Sequence, residues 1–299
     1  MGYKSEHLKH ILEDLQRQPR DIITIAGPTC TGKTDLSIAL AQELKLPIIN
    51  ADSRLIFQKM NIGTAKPSQE ELETVEHHMV NIKEPSEQYS AGAYREDFDQ
   101  VLQQLAGKAI VVGGTGLYLR SALENLDMPD IGRDDSLRQE LNQLELDELL
   151  SMLDELDPEA RNDVDIKNKV RLVRAIEIVK LSGKPLSENR SKNKENRYDV
   201  VFYGLNFQRR RTLYDLINAR VVRMINKGLV HEVEALIEEY GVTDTLLGTI
   251  GYKEIIGYLE RQYSLSEARR MIQKKTRVYA KRQMTWFKQN REIQWLYHD

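Results

Sequence analysis

The chain has 299 residues, with 43 basic and 46 acidic side chains and a formal net charge of −3. This length favours two domains, and the near balance of charge gives by itself no indication of a nucleic-acid partner. The single cysteine, Cys30, excludes an internal disulfide and fits a reducing compartment. Because no apolar run approaches the roughly 20 residues of a transmembrane helix, we expect a cytoplasmic chain without a membrane partner.

The first predicted elements are a strand, a glycine-containing loop and a helix. Residues 22–26 are an apolar run typical of a buried strand, and residues 35–44 have helical spacing. The loop between them fits G-x-x-x-x-G-K-[ST], the phosphate-loop pattern. Its residues are Gly27, Pro28, Thr29, Cys30, Thr31, Gly32, Lys33 and Thr34.

Each part of this loop has a physical role. The glycines let successive N–H groups point at an anion, and the helix N-terminus adds partial positive charge. Lys33 would reach the terminal phosphates, and the Thr34 hydroxyl suits a Mg²⁺ ligand. We interpret Cys30 as a small loop residue rather than a nucleophile. The loop predicts a site for a di- or triphosphate with Mg²⁺ as cofactor, but not whether phosphate is transferred.

Two further predicted strands end in polar residues. The strand at 47–51 is followed by Asp52, and the strand at 109–112 is followed by a glycine turn that carries Thr115. An NTPase normally has a carboxylate after its second apolar strand, and 109–112 is not followed by one. In a parallel sheet these strand ends can converge with the phosphate loop on one crevice. The arrangement suits a general base facing a diphosphate leaving group at least as well as ATP hydrolysis.

Charge is distributed in blocks along the chain. Residues 124–165 contain fifteen acidic and three basic side chains. Residues 166–225 contain five acidic and fifteen basic side chains, and residues 269–291 contain nine basic side chains and no acidic one.

The predicted elements of this region indicate a helical insertion. Leucines repeat at helical spacing from 137 to 156, and a second helix at 168–181 ends at Gly183. A hydrophilic run at 188–197 and a strand at 200–205 follow. We therefore predict an α/β fold. A P-loop NTPase-like parallel sheet core with C-terminal helices (residues 1–122 and 198–299) carries an inserted all-helical domain (residues 123–197).

Basic side chains in two of these blocks share helix faces. In the last block, one face carries Arg270, Lys274, Arg277, Lys281 and Lys288, and an apolar stripe is formed by Met271, Ile272, Val278 and Tyr279. In the insertion, the spacing predicts a shorter basic stripe of Lys167, Arg171 and Arg174. A solvated face is the usual explanation of a charge run, but 23 residues without an acid favour contact with a phosphate backbone.

Five blocks together resemble the tRNA dimethylallyltransferase family. After the phosphate loop, residues 52–67 (DSRLIFQKMNIGTAKP) resemble its D-S-x-x-[IV]-Y-x-x-[ML]-[DN]-I-G-T-A-K-P block, and residues 113–118 (GGTGLY) match G-G-T-x-L-Y. Residues 250–254 (IGYKE) resemble [IV]-G-Y-[KR]-[EQ], and residues 280–287 (AKRQMTWF) resemble A-K-R-Q-x-T-W-[FL]. One element departs from the family: residues 166–177 keep two arginines of P-N-[ND]-x-x-R-x-x-R-A-[IL]-E but alter the preceding turn.

The resemblance implies transfer of a dimethylallyl group from dimethylallyl diphosphate to N6 of the adenosine 3′ to the anticodon of tRNA. It implies Asp52 as general base, with Lys33, Thr115 and Arg138 at the leaving diphosphate, and an insertion that grips the anticodon stem-loop. The expected tRNA-binding residues are Asp52, Ser53, Arg54, Leu55, Thr115, Arg138, Arg171, Arg174, Gly251, Tyr252, Lys253, Lys281 and Arg282. Candidate stacking surfaces for the target base are Trp286, Tyr252 and Phe57, and we expect a monomer.

Three alternatives remain at this point. A P-loop small-molecule kinase would use the same loop and acid, but would leave the block at 52–67 unexplained. A non-catalytic RNA-binding protein would explain the basic helix and leave Asp52 and Thr115 without a role. An isopentenyltransferase acting on free adenine nucleotides would have no use for the helical insertion.

Overall fold

The computed structural model describes residues 5–124, 131–132, 134–162, 164–186 and 196–298. Within them, six parallel strands form one sheet in the order β3-β2-β4-β1-β5-β6. The strands are β1 (Ile22–Ala26), β2 (Ile48–Asn50), β3 (His77–His78), β4 (Ala109–Gly113), β5 (Val200–Phe207) and β6 (Gln294–His298). The predicted α/β fold with a parallel sheet is confirmed.

The chain divides into two compact units, Met1–Leu123 with Asn196–Asp299 and Glu124–Glu195. The first is the sheet unit, whose helices are α1 (Ser5–Arg17), α2 (Lys33–Leu44), α3 (Gln69–Thr74), α4 (Ala91–Gln104), α5 (Gly116–Leu123), α9 (Arg210–Asn226), α10 (Leu229–Tyr240), α11 (Asp244–Leu247), α12 (Tyr252–Leu259) and α13 (Leu265–Phe287). The second is the helical unit, with α6 (Asp135–Gln143), α7 (Leu146–Leu156), a 3₁₀ turn (Pro158–Asn162) and α8 (Lys169–Ser182). In the part of the chain that the structure describes, no helix combines the length and apolarity needed to cross a bilayer.

Strand β1 explains why the apolar run before the phosphate loop is continuous. It pairs with β4 on one side and β5 on the other, and all five of its residues are buried. Ile23 and Ile25 pack with Ile11 and Leu40 on the face covered by α1 and α2. Ile22 belongs to the core on the other face, because successive side chains of a strand point to opposite sides. A strand covered on both faces needs apolar residues at consecutive positions.

The long C-terminal helix is fixed at its start by a capping box. Ser264 Oγ accepts from the Glu267 N–H, and Glu267 Oε2 accepts from the Ser264 N–H at 2.9 Å. Helix α13 then packs Ala268, Ile272 and Phe287 into the main core. The 23-residue helix therefore has one face fixed against the sheet unit and one face left to solvent.

The helical unit follows the leucine pattern, with one break. The acidic stretch forms two helices rather than one, because a second capping box begins α7: Glu145 N–H donates to Glu148 Oε2 at 2.7 Å. Helix α8 starts after Asn168, whose side chain accepts from the Arg171 N–H, and ends at Gly183 with φ of 66°. Residues 188–195 of the predicted hydrophilic run lie outside the described residues.

A buried carboxylate organises this unit. Glu177 is fully buried on α8, and Arg138 of α6 donates to both of its oxygens at 2.8 Å. Arg174 donates to Oε2 at 2.6 Å, and the Asp134 N–H donates to Oε1 at 2.9 Å. Burial alone would raise the pKa of Glu177, but these hydrogen bonds outweigh it and lower the pKa to about 2.

Of the predicted basic stripe, Arg171 and Arg174 lie on α8, whereas Lys167 does not. Lys167 lies in the turn before α8, where helical spacing does not apply. Arg171 is paired with Asp165 at 3.3 Å, and Arg174 is turned toward Glu177 and the carbonyl of Ile131. Helical spacing in the sequence does not show that Arg171 pairs with Asp165 and Arg174 with Glu177.

Replacing Glu177 with alanine should strongly destabilise the helical unit. It leaves two arginines beside a site built for a carboxylate, and breaking such a buried pair costs about 3–5 kcal/mol. Because the pKa of Glu177 is depressed, its contribution to the free energy of unfolding is complete above the ordinary carboxyl pKa. This contribution is lost as the pH falls toward 2. Denaturant unfolding followed by circular dichroism should show both effects, while Glu140→Ala, an exposed change on α6, should show neither.

Candidate active site

The strand ends that the sequence singled out lie side by side. Strands β2, β4 and β1 are consecutive in the sheet, so Asp52, Thr115 and the phosphate loop leave the same edge at neighbouring positions. Asp52 and phosphate-loop residues 29–34 border a cavity of about 700 Å³. Cavity-lining residues from other segments are Leu55, Asn61, Ile62, Thr64, Lys66, Leu216, Arg220, Arg223, Met224, Lys227 and Gln283.

Two glycines are required by close backbone approach. A Cβ on Gly113 would lie 2.1 Å from the carbonyl oxygen of Ala51, so the ends of β4 and β2 can be this close only without a side chain there. Gly27 has φ of 135°, and a Cβ on it would lie 2.4 Å from the carbonyl oxygen of Leu205. Larger residues at either position would push the strand ends apart.

The phosphate loop is closed by its own side chains. Thr31 Oγ1 and Lys33 Nζ both donate to the carbonyl oxygen of Pro28, at 2.9 and 2.8 Å. Gly32 has φ of 82°, and α2 begins directly after it, so its first N–H groups face the loop. Burial lowers the pKa of Lys33 to about 8; Asp52 opposes this shift and Arg220 adds to it.

Asp52 is oriented by the last residue of β2. Asn50 Oδ1 accepts from the Asp52 N–H at 2.9 Å, and Asn50 Nδ2 donates to the carbonyls of Asp52 and Met79 at 3.0 and 2.9 Å. Asp52 Oδ1 in turn accepts from the Arg54 N–H at 2.9 Å. The buried asparagine therefore fixes the backbone that carries the cavity carboxylate.

Thr115 is held directly against the Asp52 loop. Its Oγ1 accepts from the Ser53 N–H at 3.0 Å and donates to Ser53 Oγ at 3.3 Å. The Thr115 N–H donates to the carbonyl of Ala51 at 3.1 Å. The carboxylate and the hydroxyl thus belong to one hydrogen-bonded cluster.

Arg220 contacts the phosphate loop and was not among the residues singled out from the sequence. From α9, its Nη1 donates to Thr29 Oγ1 at 3.1 Å and to Cys30 Sγ at 3.5 Å, and its Nη2 donates to the carbonyl of Thr64 at 3.3 Å. The sequence signal was the 3-then-4 spacing of Arg220, Arg223 and Lys227, all of which line the cavity.

The Arg138 contacts that the structure describes lie within the helical unit. There its guanidinium makes the bidentate pair with Glu177. The structure gives the phosphate loop a different arginine, Arg220.

A carboxylate on α10 holds the loop that faces Arg220. Glu232 Oε2 accepts from the N–H groups of Asn61 and Ile62 at 3.0 and 2.7 Å, and Oε1 accepts from Gly63 N–H at 3.0 Å. The Tyr252 hydroxyl donates to the same Oε1 at 2.7 Å. These contacts anchor the segment that contains Thr64.

Two of the predicted stacking surfaces are wrong. Tyr252 is 0% exposed, and its ring packs so closely on Gly63 that a Cβ there would lie 2.4 Å from Cε2. Phe57 is 5% exposed in the same core. Trp286 is half-buried beside Gly116, with the guanidinium of Arg120 5.6 Å from its ring centre. Only the fold reveals which aromatic rings reach a surface.

The other predicted contact residues are distributed over the sheet unit. Arg54 donates to the carbonyl of Gly248 at 3.3 Å, and Leu55 lines the cavity. Gly251 precedes α12 and its N–H donates to Glu254, whereas Lys253 is exposed.

Helix α13 carries the predicted basic face with two differences. Lys274, Lys281 and Arg282 are exposed, but Arg277 Nη1 donates to Asn218 of α9. Val278, assigned to the apolar stripe, is 44% exposed. The stripe therefore has a different composition from the one predicted.

The donor set at the phosphate loop fits Mg²⁺ held together with a diphosphate. Thr34, Asp35 and Asp52 line the cavity with a hydroxyl and two carboxylates, the oxygen donors that Mg²⁺ prefers. Across the described residues, no cluster of three or more histidine, cysteine or acidic side chains could hold a metal by itself. Thr34 remains the expected protein ligand.

The lowered pKa of Lys33 should make binding of inorganic diphosphate depend on pH. Below about pH 8 the ammonium group can pair with the anion, and above it the free protein loses this charge. Between pH 7 and pH 9, affinity should fall about tenfold more for the wild type than for Lys33→Met, measured by calorimetry. The diphosphate's own titration affects both proteins alike, so parallel pH profiles would contradict this role.

Comparison with known proteins identifies the family. Residues 55–290 match the family model described as IPP transferase. A tRNA dimethylallyltransferase of Natranaerobius thermophilus is 37% identical over 287 residues, covering 93% of this chain and 86% of the relative. One from Gloeobacter violaceus is 39% identical over 280 residues, covering 93% and 92%.

Solved structures agree with these relatives. The tRNA isopentenylpyrophosphate transferase of Bacillus halodurans aligns with a TM-score of 0.68 and 34% identity, over 93% of this chain and 90% of its own. A eukaryotic dimethylallyltransferase, captured acting on tRNA, aligns with a TM-score of 0.79 and 27% identity, over 93% and 74%. The resemblance carried by the five sequence blocks is therefore confirmed, and the chain belongs to the IPP transferase family.

Proposed function

We propose that this chain is a tRNA dimethylallyltransferase. It transfers a dimethylallyl group from dimethylallyl diphosphate to N6 of the adenosine 3′ to the anticodon and releases diphosphate. The observation that carries the proposal is the cavity that Asp52 lines together with the phosphate loop, Lys33 and Arg220, with Thr115 held beside Asp52 through Ser53. A base, a hydroxyl donor and a diphosphate cradle are the groups that this displacement needs.

The donor occupies the phosphate-loop side of the cavity. Loop N–H groups, Lys33 and Arg220 receive the diphosphate oxygens, and Thr34 would hold Mg²⁺, which neutralises charge on the leaving diphosphate when bound. The apolar tail lies against side chains that line the same cavity from the loop after β2 and from α9. These are Leu55, Ile62, Leu216 and Met224.

Asp52 acts on the acceptor. An exocyclic amine is a weak nucleophile because its lone pair is delocalised into the ring, so it needs a base that takes its proton as the bond to carbon forms. The carbon–oxygen bond to diphosphate breaks, the carbon–nitrogen bond forms, and the N6 proton passes to the Asp52 carboxylate. Thr115 donates to the bridging oxygen, where negative charge develops.

We assign the leaving-group arginine to Arg220 instead of Arg138. Arg220 already donates to Thr29 in the loop, whereas Arg138 is paired with Glu177. A planar guanidinium suits diphosphate because it donates two parallel hydrogen bonds.

Two sets of basic residues are proposed for the anticodon stem-loop. The first set is on the sheet unit, where the exposed cations Lys253, Lys274, Lys281 and Arg282 lie on α12 and α13. The second is on the helical unit, residues 123–197 in our proposed domain division, which carries Arg138, Arg171 and Arg174. The kinase alternative is not favoured by the family membership. A monomer in the cytoplasm, where Cys30 stays a thiol, completes the proposal.

The function is tested by mass spectrometry of nucleosides from an unmodified tRNA transcript incubated with dimethylallyl diphosphate and Mg²⁺. The wild type should add one dimethylallyl group to adenosine, and Asp52→Asn should slow single turnover by roughly 10²-fold or more, as for a lost general base. Binding of both substrates should be retained. Asp215→Asn, an exposed change on α9, serves as the control. Absence of product with the wild type would refute the function, and near-normal turnover of Asp52→Asn would remove Asp52 from the mechanism.

The two arginines should differ in what they contribute. Arg220→Ala should lower the transfer rate by about 10²- to 10³-fold, the range for losing a transition-state donor, and should weaken binding of inorganic diphosphate. Arg138→Ala should leave diphosphate affinity unchanged and lower the thermal stability instead. Equal diphosphate affinities of the wild type and Arg220→Ala would return Arg138 to consideration.

A further inference from the structure

Gln283 of α13 connects two loops of the candidate active site. Its side chain is 5% exposed, its Nε2 donates to the carbonyl of Gly114 at 2.9 Å, and its Oε1 accepts from the Thr29 N–H at 3.0 Å. One amide therefore joins the phosphate loop to the turn that carries Thr115. The roles proposed above do not use it.

The fit between this side chain and the turn is close. A Cβ on Gly114 would lie 2.3 Å from Gln283 Nε2, so the glycine leaves just enough room for the amide. Tyr279, one helical turn earlier, interacts through its hydroxyl with both Thr115 and Gln283. Two side chains on the buried face of α13 thus reach the same turn.

Spacing between these loops matters for the displacement. The sheet fixes β1 and β4, but the phosphate loop and the glycine turn extend beyond the last strand pairing, Ala26 with Gly113. A hydroxyl must lie within hydrogen-bond distance of the leaving oxygen, and a displacement of about 1 Å can cost a hundredfold in rate. Thr29 is anchored from two sides, since Arg220 donates to its hydroxyl and Gln283 accepts from its N–H.

We propose that Gln283 is a positioning residue that holds the phosphate loop and the Thr115 turn at the spacing needed for transfer. It acts through hydrogen bonds to the backbone and not on the reacting atoms. The kinetic part of this proposal rests on the proposed function, whereas the link between the two loops is tested separately.

The kinetic test is a double-mutant cycle with Thr115. Gln283→Leu should lower the single-turnover rate about 10- to 100-fold and change the affinities for tRNA and dimethylallyl diphosphate by less than about threefold. In a Thr115→Val background, Gln283→Leu should lower the single-turnover rate by less than about threefold, because the positioned hydroxyl is already absent. Equal losses in both backgrounds would overturn the proposal.

Gln273→Leu is the matched control. Gln273 lies on the same helix and its Nε2 donates to the carbonyl of Asn218 at 3.1 Å, away from both loops. It should leave the transfer rate unchanged even if it lowers the melting temperature. An equal fall in rate for the two variants would assign Gln283 a merely structural role.

Amide hydrogen exchange tests the link between the phosphate loop and the Thr115 turn without a measurement of enzyme activity. Peptides that contain the phosphate loop and peptides that contain residues 113–116 should both exchange faster in Gln283→Leu than in the wild type, and at wild-type rates in Gln273→Leu. Unchanged exchange in Gln283→Leu would overturn the proposal. If Gln283→Leu does not fold, Gln283→Met, an unbranched side chain of similar length, is measured in the same way. An inactive wild type with the expected exchange would refute the function and leave the positioning link intact.

Discussion

The close approach of β2 and β4 at their carboxyl ends is the constraint on which the rest of the site depends. Gly113 allows the end of β4 to contact the Ala51 carbonyl, and this proximity brings Thr115 within hydrogen-bond distance of Ser53. With β1 next in the sheet, the phosphate loop completes the same edge. Backbone pairing thus fixes where Asp52, Thr115 and the phosphate loop leave the sheet.

The cavity concentrates positive charge at some cost to the ligand-free protein. Burial lowers the pKa of Lys33, and the nearby guanidinium of Arg220 adds to this shift. An anion that binds between them relieves both effects, so binding energy includes the release of this repulsion. Within the sheet unit, Glu232 directs its carboxylate to backbone N–H groups of the loop at 61–63.

How far the sequence could predict this molecule depended on the range of each contact. Local patterns predicted the parallel sheet, the phosphate loop, Asp52 and Thr115. Each of these features consists of an apolar strand or of residues that closely follow one. Arg220 and Gln283 reach the phosphate loop across 191 and 254 positions of the chain. The spacing of Arg220 with Arg223 and Lys227 indicates a shared helix face, but not which loop that face contacts. Tyr252 was misread for a related reason. Its ring packs on Gly63, which lies far away in sequence and becomes a neighbour only on folding.

Helix α13 has a consequence for the evolution and engineering of this enzyme. Its exposed face carries the cations proposed for the nucleic acid, while its buried face supplies Gln283 to the donor loop. In our proposal, acceptor preference and donor positioning therefore share one helix of 23 residues. A chimera that exchanges the C-terminal helices to obtain a new RNA preference also exchanges a support of the phosphate loop. Successful exchanges will need to treat the buried positions as part of the donor site and vary only the solvent face.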